Sequence, residues 1–233
     1  MFCFIDYRTT EEEIKTLENQ GLTCLKVPKC TSLYNAIDGH VDIQLTILDK
    51  CKKEVIIHKN MDKDFKKLLI SNRIIFKETA RSLNYSYPQN IILNGLVLKN
   101  YFIHNLKFTD PELIKTQNFK KLVNVKQGYT KCSCLPVKEK AIITSDYGIY
   151  NKLSKEGFDI LLLPPGDIEL PGLDYGFIGG TGGMISENTM AFFGSLDHYL
   201  HGEAVKNFLY KYDVKPLYLK NSKLTDRGSL LTL

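Results

Sequence analysis

The chain has 233 residues, of which 43% are hydrophobic and 24% are charged, and it is long enough to bury one large core or two small ones. Its formal net charge is +5 at pH 7, but the lysines are scattered along the sequence, which argues against a nucleic-acid-binding protein. No apolar run approaches the roughly 18 residues that a membrane span needs, so the composition also argues against a membrane protein.

The cysteines and the N-terminal segment predict a cytoplasmic protein. Residues 1–14 lack a basic stretch followed by a long apolar run, so they do not resemble a signal peptide. The six cysteines are then expected to be reduced thiols. Cys132 and Cys134 form a C-x-C pair with no further cysteine or histidine close in sequence, and we predict neither a metal site nor a cofactor.

Strand and helix patterns alternate from the first residue onward. The N-terminal part predicts a strand, a helix and a strand with no hairpin before them. The next part predicts two strands joined by the polar turn at residues 49–53, then a helix and a third strand. In chain order, these elements cover residues 1–6, 10–21 and 23–28, and then 41–60, 61–71 and 73–76.

The same unit of strand, turn, strand, helix and strand recurs three more times, at a spacing of about forty to fifty residues. The second unit of this kind starts at Asn90, and Thr109 or Asp110 can cap its helix, with Pro111 at the first helical position. The third starts at Lys131 and the fourth at Gly176. The predicted elements of the last three units are residues 90–105, 109–115 and 121–125; 131–146, 147–157 and 159–164; and 176–196, 201–213 and 215–219.

The two chain ends complete a fifth unit. Residues 226–233 form a lone strand that no helix follows, and the N-terminal part lacks a first strand. A last unit built from both termini is typical of a closed ring of repeats, since closure removes exposed sheet edges. We therefore predict a single domain over residues 1–233.

The first strand of every unit begins with polar residues or glycine and becomes apolar further along. In a ring, these polar starts point toward a common centre, which predicts a shared axial cavity. The residues placed there are His40, Asp42, Gln44, Asn94, Lys131, Cys132, Ser133, Thr181, Asp226 and Ser229.

These motifs resemble a known superfamily. Five such units, with GHVD at 39–42, GFIGGTGG at 176–183 and TDRGS at 225–229, resemble the guanidino-group-modifying enzymes, or penteins. That superfamily includes arginine and agmatine deiminases, dimethylarginine hydrolases and amidinotransferases. The part from residue 90 to 233 also resembles an uncharacterised bacterial family with this fold, typical of clostridia. The resemblance implies an α/β fold, a pseudo-fivefold propeller whose last unit is split across the termini.

The resemblance also implies a set of catalytic residues. In penteins a cysteine thiolate attacks the guanidinium carbon, a histidine shuttles protons, and paired acidic residues bind the guanidinium nitrogens. His40, in a His-x-Asp pairing, and Asp226 match the histidine and one acid. The family's nucleophile lies at the start of the last inner strand, where this chain has Ser229 and no cysteine.

Cys132 is the candidate replacement for the missing nucleophile. The ammonium of Lys131 beside it is expected to lower the pKa of the thiol. In a strand, however, neighbouring side chains point to opposite faces, so only one of the two would face the cavity. The alternative is that Cys132 is a small buried core residue, and His40 a hydrogen-bonded structural histidine.

Together these observations predict a hydrolase or transferase that acts on a small guanidino or amidino compound. The predicted catalytic residues are His40, Cys132 and Asp226. The predicted substrate-binding residues are Asp42, Gln44, Asn94, Lys131, Ser133, Thr181 and Ser229. The expected partner is a small molecule bearing a guanidino or carboxylate group. A non-catalytic ligand-binding ring and a macromolecular binding module remain as alternatives.

Overall fold

The computed structural model describes residues 1–233, and its strands form five separate three-stranded sheets. Four sheets are each built from consecutive strands, and the remaining one joins the two ends of the chain. The strands are β1 (Phe2–Asp6), β2 (Thr23–Val27), β3 (Leu45–Asp49), β4 (Glu54–Ile57), β5 (Ile75–Glu78), β6 (Leu96–Val97), β7 (Tyr101–His104), β8 (Lys121–Asn124), β9 (Cys134–Lys138), β10 (Ala141–Thr144), β11 (Asp159–Leu162), β12 (Gly182–Ser186), β13 (Thr189–Phe192), β14 (Lys215–Tyr218) and β15 (Leu231–Thr232).

All five sheets have the same topology. The middle strand pairs antiparallel with one neighbour and parallel with the other, and a helix connects the parallel pair. A parallel connection needs such a crossover, whereas the antiparallel pair within each of four units needs only a turn. The helices are α1 (Glu11–Glu18), α2 (Val41–Gln44), α3 (Lys63–Ser71), α4 (Pro111–Gln117), α5 (Thr130–Ser133), α6 (Tyr147–Ser154) and α7 (Gly202–Tyr210), of which all but α2 and α5 are crossovers.

Four of the five crossover helices, all but α7, begin at side chains that accept hydrogen bonds from the first free backbone N–H groups. Asp110, one of the two predicted alternatives, caps α4, with Pro111 in the first turn, and Asp146 caps α6. Thr10 and Glu13 form a capping box at the start of α1. Local sequence therefore determines where these helices begin.

The starts of three inner strands differ from the prediction. Residues predicted to be extended form single helical turns, namely α2, α5 and a 3-10 turn over Ile178–Thr181, and the strands begin only after them. Four residues are too few for hydrophobic periodicity to distinguish a turn of helix from a strand. Lys131 and Cys132 therefore lie in a helical turn and not in a strand, so strand alternation does not determine where their buried side chains point.

The hydrophobic core is divided into five clusters, and each lies between two sheets. One cluster joins the sheet of β1 to that of β3, and a second joins the sheet of β1 to that of β12. The other three clusters join the remaining pairs of sheets that are consecutive in the chain. Each sheet thus packs against two others, and the sheet that holds both termini packs against the first and the last of the four consecutive ones.

No helix of this structure combines the length and the apolar character that a membrane crossing requires.

A substitution at Phe4 tests whether the sheet that joins the termini contributes to the stability of the fold. Its side chain is fully buried on β1 and belongs to the cluster that also contains Leu233. We expect Phe4→Ala to lower the free energy of unfolding by about 3–5 kcal/mol, because it removes a large buried ring and leaves a cavity. Chemical denaturation followed by circular dichroism measures this change.

Leu200→Ala is the matched control, because Leu200 is 78% exposed. Its unfolding free energy should stay within about 0.5 kcal/mol of the wild type. Equal stability of the two variants would contradict the assignment of β1 to the core.

Candidate functional site

The carboxylate of Asp42 is the centre of a buried polar cluster. Asp42 lies on α2 and is 2% exposed. The Cys132 thiol donates to its two oxygens at 3.1 and 3.2 Å, and the Ser229 hydroxyl donates to Oδ2 at 2.5 Å. A buried carboxylate needs such donors to offset its lost hydration. Three separate parts of the chain therefore meet at this group.

Lys131 supplies the positive charge of the cluster. Its Nζ donates to Ser229 Oγ at 2.7 Å and to the carbonyl oxygen of Gly179 at 3.2 Å. Burial lowers the pKa of this ammonium, and the nearby Asp42 carboxylate partly offsets the effect. Ser229 itself has a φ of +70°, a left-handed backbone conformation that is uncommon for a residue with a side chain.

Asn94 attaches α5 to this cluster. Its Oδ1 accepts hydrogen bonds from the backbone N–H groups of Lys131 and Cys132, at 2.9 and 3.2 Å. Its Nδ2 donates to the carbonyl oxygen of Asp42 at 3.0 Å and to Cys132 Sγ at 3.2 Å. The amide thus fixes the sulfur relative to the carboxylate, and all of its contacts lie inside the protein.

His40 and Asp226 form a second pair beside the first cluster. His40 Nε2 lies 3.8 Å from Asp226 Oδ1, and both side chains are almost fully buried. The carboxylate accepts hydrogen bonds from the backbone N–H groups of Phe177 at 2.8 Å and Gly228 at 2.9 Å. Neither ring nitrogen of His40 has a hydrogen-bond partner. A buried imidazole without partners is unusual, and here its nitrogens are available to a ligand.

Two glycines allow the backbone to lie directly against the side chains of His40 and Asp226. A Cβ added at Gly180 would lie 1.8 Å from Asp226 Oδ1, and one added at Gly228 would lie 2.3 Å from the Cβ of His40. Gly228 also has a φ of +67°. Any side chain at either position would therefore displace the acid or the imidazole.

The ionisation of Cys132 differs from the prediction. Burial raises the pKa of this thiol well above its usual value, and the carboxylates of Asp42 and Asp226 raise it further. The expected lowering by Lys131 is outweighed, because that ammonium bonds to Ser229 while the sulfur faces Asp42. In the free protein Cys132 is therefore a neutral thiol that donates a hydrogen bond to Asp42.

A cavity of about 260 Å³ opens onto the second pair and the sulfur. His40, Cys132 and Asp226 are its polar floor, and aromatic rings form much of its wall. Burial raises the pKa of Asp226, so its charge is destabilised until a cation enters. The full lining comprises Tyr34, Ile37, His40, Tyr129, Cys132, Leu170, Leu173, Asp174, Tyr175, Phe177 and Asp226.

The aromatic wall was not predicted from the sequence. Tyr129 precedes Cys132 by three residues, a spacing that places both on one side of a helical turn, but α5 was read as a strand. Phe177 lies in the glycine-rich segment at 176–183, which is the other available signal. Tyr34 and Leu173 lie in loops, where no pattern points to them.

Three of the predicted site residues lie outside the hydrogen-bonded cluster. Gln44 donates to the carbonyl oxygens of Pro28 and Asp38, both at 3.0 Å. Thr181 Oγ1 donates to the carbonyl oxygen of Ile178 at 2.8 Å, and the hydroxyl of Ser133 has no partner. The structure brings together the other seven, which are His40, Asp42, Asn94, Lys131, Cys132, Asp226 and Ser229.

One subset of the site has the geometry of a metal centre. Ligand atoms of His40, Asp42 and Cys132 lie within 4.8 Å of one another. Imidazole, carboxylate and thiolate are the donors that zinc prefers. The thiol of Cys132 would have to lose its proton and its hydrogen bond to Asp42 before it could bind a metal.

The charges of the site favour a small cation. The two buried carboxylates, Asp42 and Asp226, lie near a single ammonium, that of Lys131, and His40 is the one basic side chain that lines the cavity. A planar cation can bind a carboxylate through two hydrogen bonds and stack on aromatic rings. The geometry therefore suits a guanidinium or amidinium group.

Several solved structures share this fold. SxtG, an amidinotransferase from Microseira wollei in the saxitoxin biosynthetic pathway, is similar over 97% of this chain and 89% of its own, with a TM-score of 0.59 and 10% identity. A cysteine-to-serine mutant of DDAH from Pseudomonas aeruginosa, complexed with citrulline, is similar over 94% and 92%, with a TM-score of 0.54 and 8% identity. A cysteine-to-serine mutant of C. jejuni agmatine deiminase with substrate bound is similar over 76% and 67%, with a TM-score of 0.50 and 12% identity.

At these identities the similarity establishes the fold, a mixed α/β fold shared with guanidino-group-modifying enzymes, and nothing about activity. No curated protein matches the sequence. One family model matches residues 4–231, and its description is a family of unknown function, DUF6873. Because this match spans nearly the whole sequence, the chain belongs to the DUF6873 family.

Proposed function

We propose that this protein is a pentein-type hydrolase that binds a small guanidino compound and cleaves a C–N bond of its guanidinium group. In this proposal the five sheets form a pseudo-fivefold propeller whose last unit is split across the termini. One observation carries the proposal: a thiol, an imidazole and a carboxylate, those of Cys132, His40 and Asp226, line the same aromatic cavity.

The structural neighbours support the choice of substrate class. The neighbours named above are an amidinotransferase, a DDAH bound to citrulline and an agmatine deiminase bound to its substrate. In this chain the guanidinium would bind with its nitrogens toward Asp226 and its face against the aromatic wall. A charge-assisted pair of this kind in a dry cavity is worth more than one at the surface.

The proposed reaction starts with a neutral thiol. A guanidinium beside Cys132 favours the thiolate, and the proton passes to Asp42, which already accepts the S–H hydrogen bond. The sulfur then forms a bond to the guanidinium carbon, and His40, which enters the reaction as an imidazolium, delivers its proton to the amine that leaves. Water attacks the resulting thiouronium and returns a proton to His40. The C–S bond then breaks, the sulfur takes its proton back from Asp42, and the ureido product leaves as its remaining proton passes to the released amine. The sum is one water consumed and one ammonium or amine released.

Cys132 takes the place of the cysteine that penteins carry at the last inner strand. Ser229 stands there instead, but its hydroxyl bonds to Asp42 and Lys131 and does not line the cavity. The sulfur of Cys132 lies on the cavity side of the same carboxylate. Attack by the sulfur of Cys132, from the third unit instead of the last, is therefore compatible with the proposed position of the guanidinium.

Cys132→Ala tests the catalytic role. We expect it to reduce ammonia release from agmatine or butylguanidine by at least about a thousandfold, because the covalent route is lost, while the Kd measured by calorimetry stays within about threefold. Cys134→Ala is the matched control: Cys134 is equally buried two residues away but contacts Thr144 instead of the cluster. It should retain both turnover and binding.

The same experiment separates the alternatives. If the wild type binds these guanidines but releases no ammonia, the protein is a non-catalytic ligand-binding ring. If neither binding nor turnover occurs with any guanidine, the proposed function is wrong.

The cavity also predicts a preference among guanidines. Its charged lining residues other than His40 are the acids Asp174 and Asp226, and it contains no lysine or arginine. A substrate carboxylate would find no counter-charge, so we expect butylguanidine and agmatine to bind at least about tenfold more tightly than arginine. Calorimetric titration of the three compounds measures this, and tighter binding of arginine would contradict the assigned cavity.

Thiol labelling tests the state of Cys132 before substrate binds. Because burial and Asp42 raise its pKa, the thiol should react with iodoacetamide at pH 7.5 at least about tenfold more slowly than the exposed Cys51, and the rate should rise as the pH increases above neutral. Mass spectrometry of peptides from a time course gives both rates. A Cys132 rate equal to or above that of Cys51 would show that the thiolate already exists in the free protein.

A further inference from the structure

A second and larger cavity lies on the other side of the buried cluster. Its volume is about 530 Å³, within the range of sites for small molecules. Asp42 and Lys131 line it, whereas Cys132, His40 and Asp226 line only the first cavity. The two cavities are thus separated by the polar layer that Asp42 and Lys131 share.

The wall of this cavity is apolar and is built by all five sheets. Each of the five inner strands presents at least one partly exposed apolar side chain to it. These residues are Ile47 of β3, Val97 of β6, Pro136 of β9, Met184 of β12 and Leu231 of β15. Five apolar side chains that remain partly exposed around one concavity are typical of a binding site, because covering them with an apolar ligand is favourable.

The polar groups of the wall are already satisfied. Thr46 Oγ1 donates to the carbonyl oxygen of Leu93 at 2.8 Å, and Thr232 Oγ1 donates to that of Met184 at 3.0 Å. Neither hydroxyl needs a hydrogen bond from a ligand. The part of a ligand that enters the cavity is therefore aliphatic.

Basic side chains complete the lining. Lys50, Lys99, Lys120 and Lys138 belong to it, and the cavity's carboxylates other than Asp42 are limited to Glu139. Glu139 is engaged, because its oxygens accept hydrogen bonds from the backbone N–H groups of residues 99 and 100 at 2.8 and 2.7 Å.

None of these four lysines forms a salt bridge, although ten other lysines of the chain do. Lys50 Nζ donates to Thr232 Oγ1 at 3.1 Å, and Lys120 Nζ donates to the carbonyl oxygen of Leu98 at 2.7 Å. Burial lowers the pKa of both ammonium groups. An anion beside them would stabilise their charged forms.

From this geometry we propose that the second cavity binds an aliphatic carboxylate of medium chain length. The hydrocarbon tail lies among the five inner-strand side chains, and the carboxylate contacts Lys50 and Lys120. This site does not depend on the proposed guanidinium chemistry, because none of its ligand-contacting residues takes part in that reaction.

Calorimetric titration of the full chain with decanoate tests the proposal, with decyltrimethylammonium as the control of opposite charge. We expect decanoate to bind with one-to-one stoichiometry and the cation to bind at least about tenfold more weakly, since the lysines repel it. Equal affinity for the two amphiphiles would overturn the proposal, because it would indicate unspecific adsorption to apolar surface.

Two sets of variants locate the site. Lys50→Gln combined with Lys120→Gln should weaken decanoate binding about fivefold or more. The matched control combines Lys126→Gln with Lys155→Gln, two exposed lysines elsewhere; it removes the same charge and should leave the affinity unchanged.

Met184→Glu should weaken decanoate binding at least about tenfold, because it places a charge in the apolar wall. Val97→Asp is the second choice if Met184→Glu fails to fold. Unchanged affinity in a folded wall variant would place decanoate elsewhere.

Cys132→Ala separates this inference from the proposed function. This variant should bind decanoate with the affinity of the wild type. The decanoate result therefore stands if the guanidine experiments fail, and the guanidine results stand if decanoate does not bind. Loss of decanoate binding in a folded Cys132→Ala protein would contradict the independence of the two cavities.

Discussion

The buried carboxylate of Asp42 is the constraint on which the site depends. A charge at 2% exposure is tolerated only when donors surround it, and these donors come from α5 and from the segment before β15. The backbone is tied to the same point, since the N–H of Asp42 donates to the carbonyl oxygen of Gly228 and Asn94 donates to the carbonyl oxygen of Asp42. Parts of the chain that are up to 187 residues apart in sequence are thereby fixed relative to one another. Removing this carboxylate would leave Cys132 and Ser229 without their acceptor.

The same constraint explains why the site favours a cation. Lys131 is the one ammonium near the two carboxylates, and Asp226 has only two backbone N–H groups and an imidazole at 3.8 Å. Burial raises the pKa of Asp226, so an entering cation gains the interaction that the protein itself does not provide. The thiol responds to the same change, because a positive charge beside Cys132 offsets the two carboxylates that keep it protonated. In the proposed reaction, substrate binding and activation of the thiol are thus two effects of the same excess of negative charge.

Much of this arrangement could be predicted from the sequence, for identifiable reasons. The recurrence of strand, helix and strand follows from hydrophobic periodicity and from capping residues such as Asp110 and Asp146, whose effects are local. The polar starts of the inner strands pointed to a shared centre, and seven of the ten residues do meet there. The helical turns α2 and α5 could not be predicted, because a segment of four residues is too short to show a hydrophobic periodicity. The protonation state of Cys132 could not be predicted from the sequence either, because it depends on Asp42, which lies 90 residues away in sequence.

In the proposed reaction, the position of Ser229 explains why the nucleophile belongs to another unit. The Ser229 hydroxyl is held between Lys131 and Asp42 and does not line the aromatic cavity. A thiol at position 229 would be shielded from the cavity by Lys131 and Asp42. Cys132 approaches the same carboxylate from α5, and its sulfur lines the cavity that also contains His40 and Asp226. Because Ser229 and Cys132 both donate to the Asp42 carboxylate, the proposal moves the nucleophile from the last unit to the third while keeping it beside the same acid.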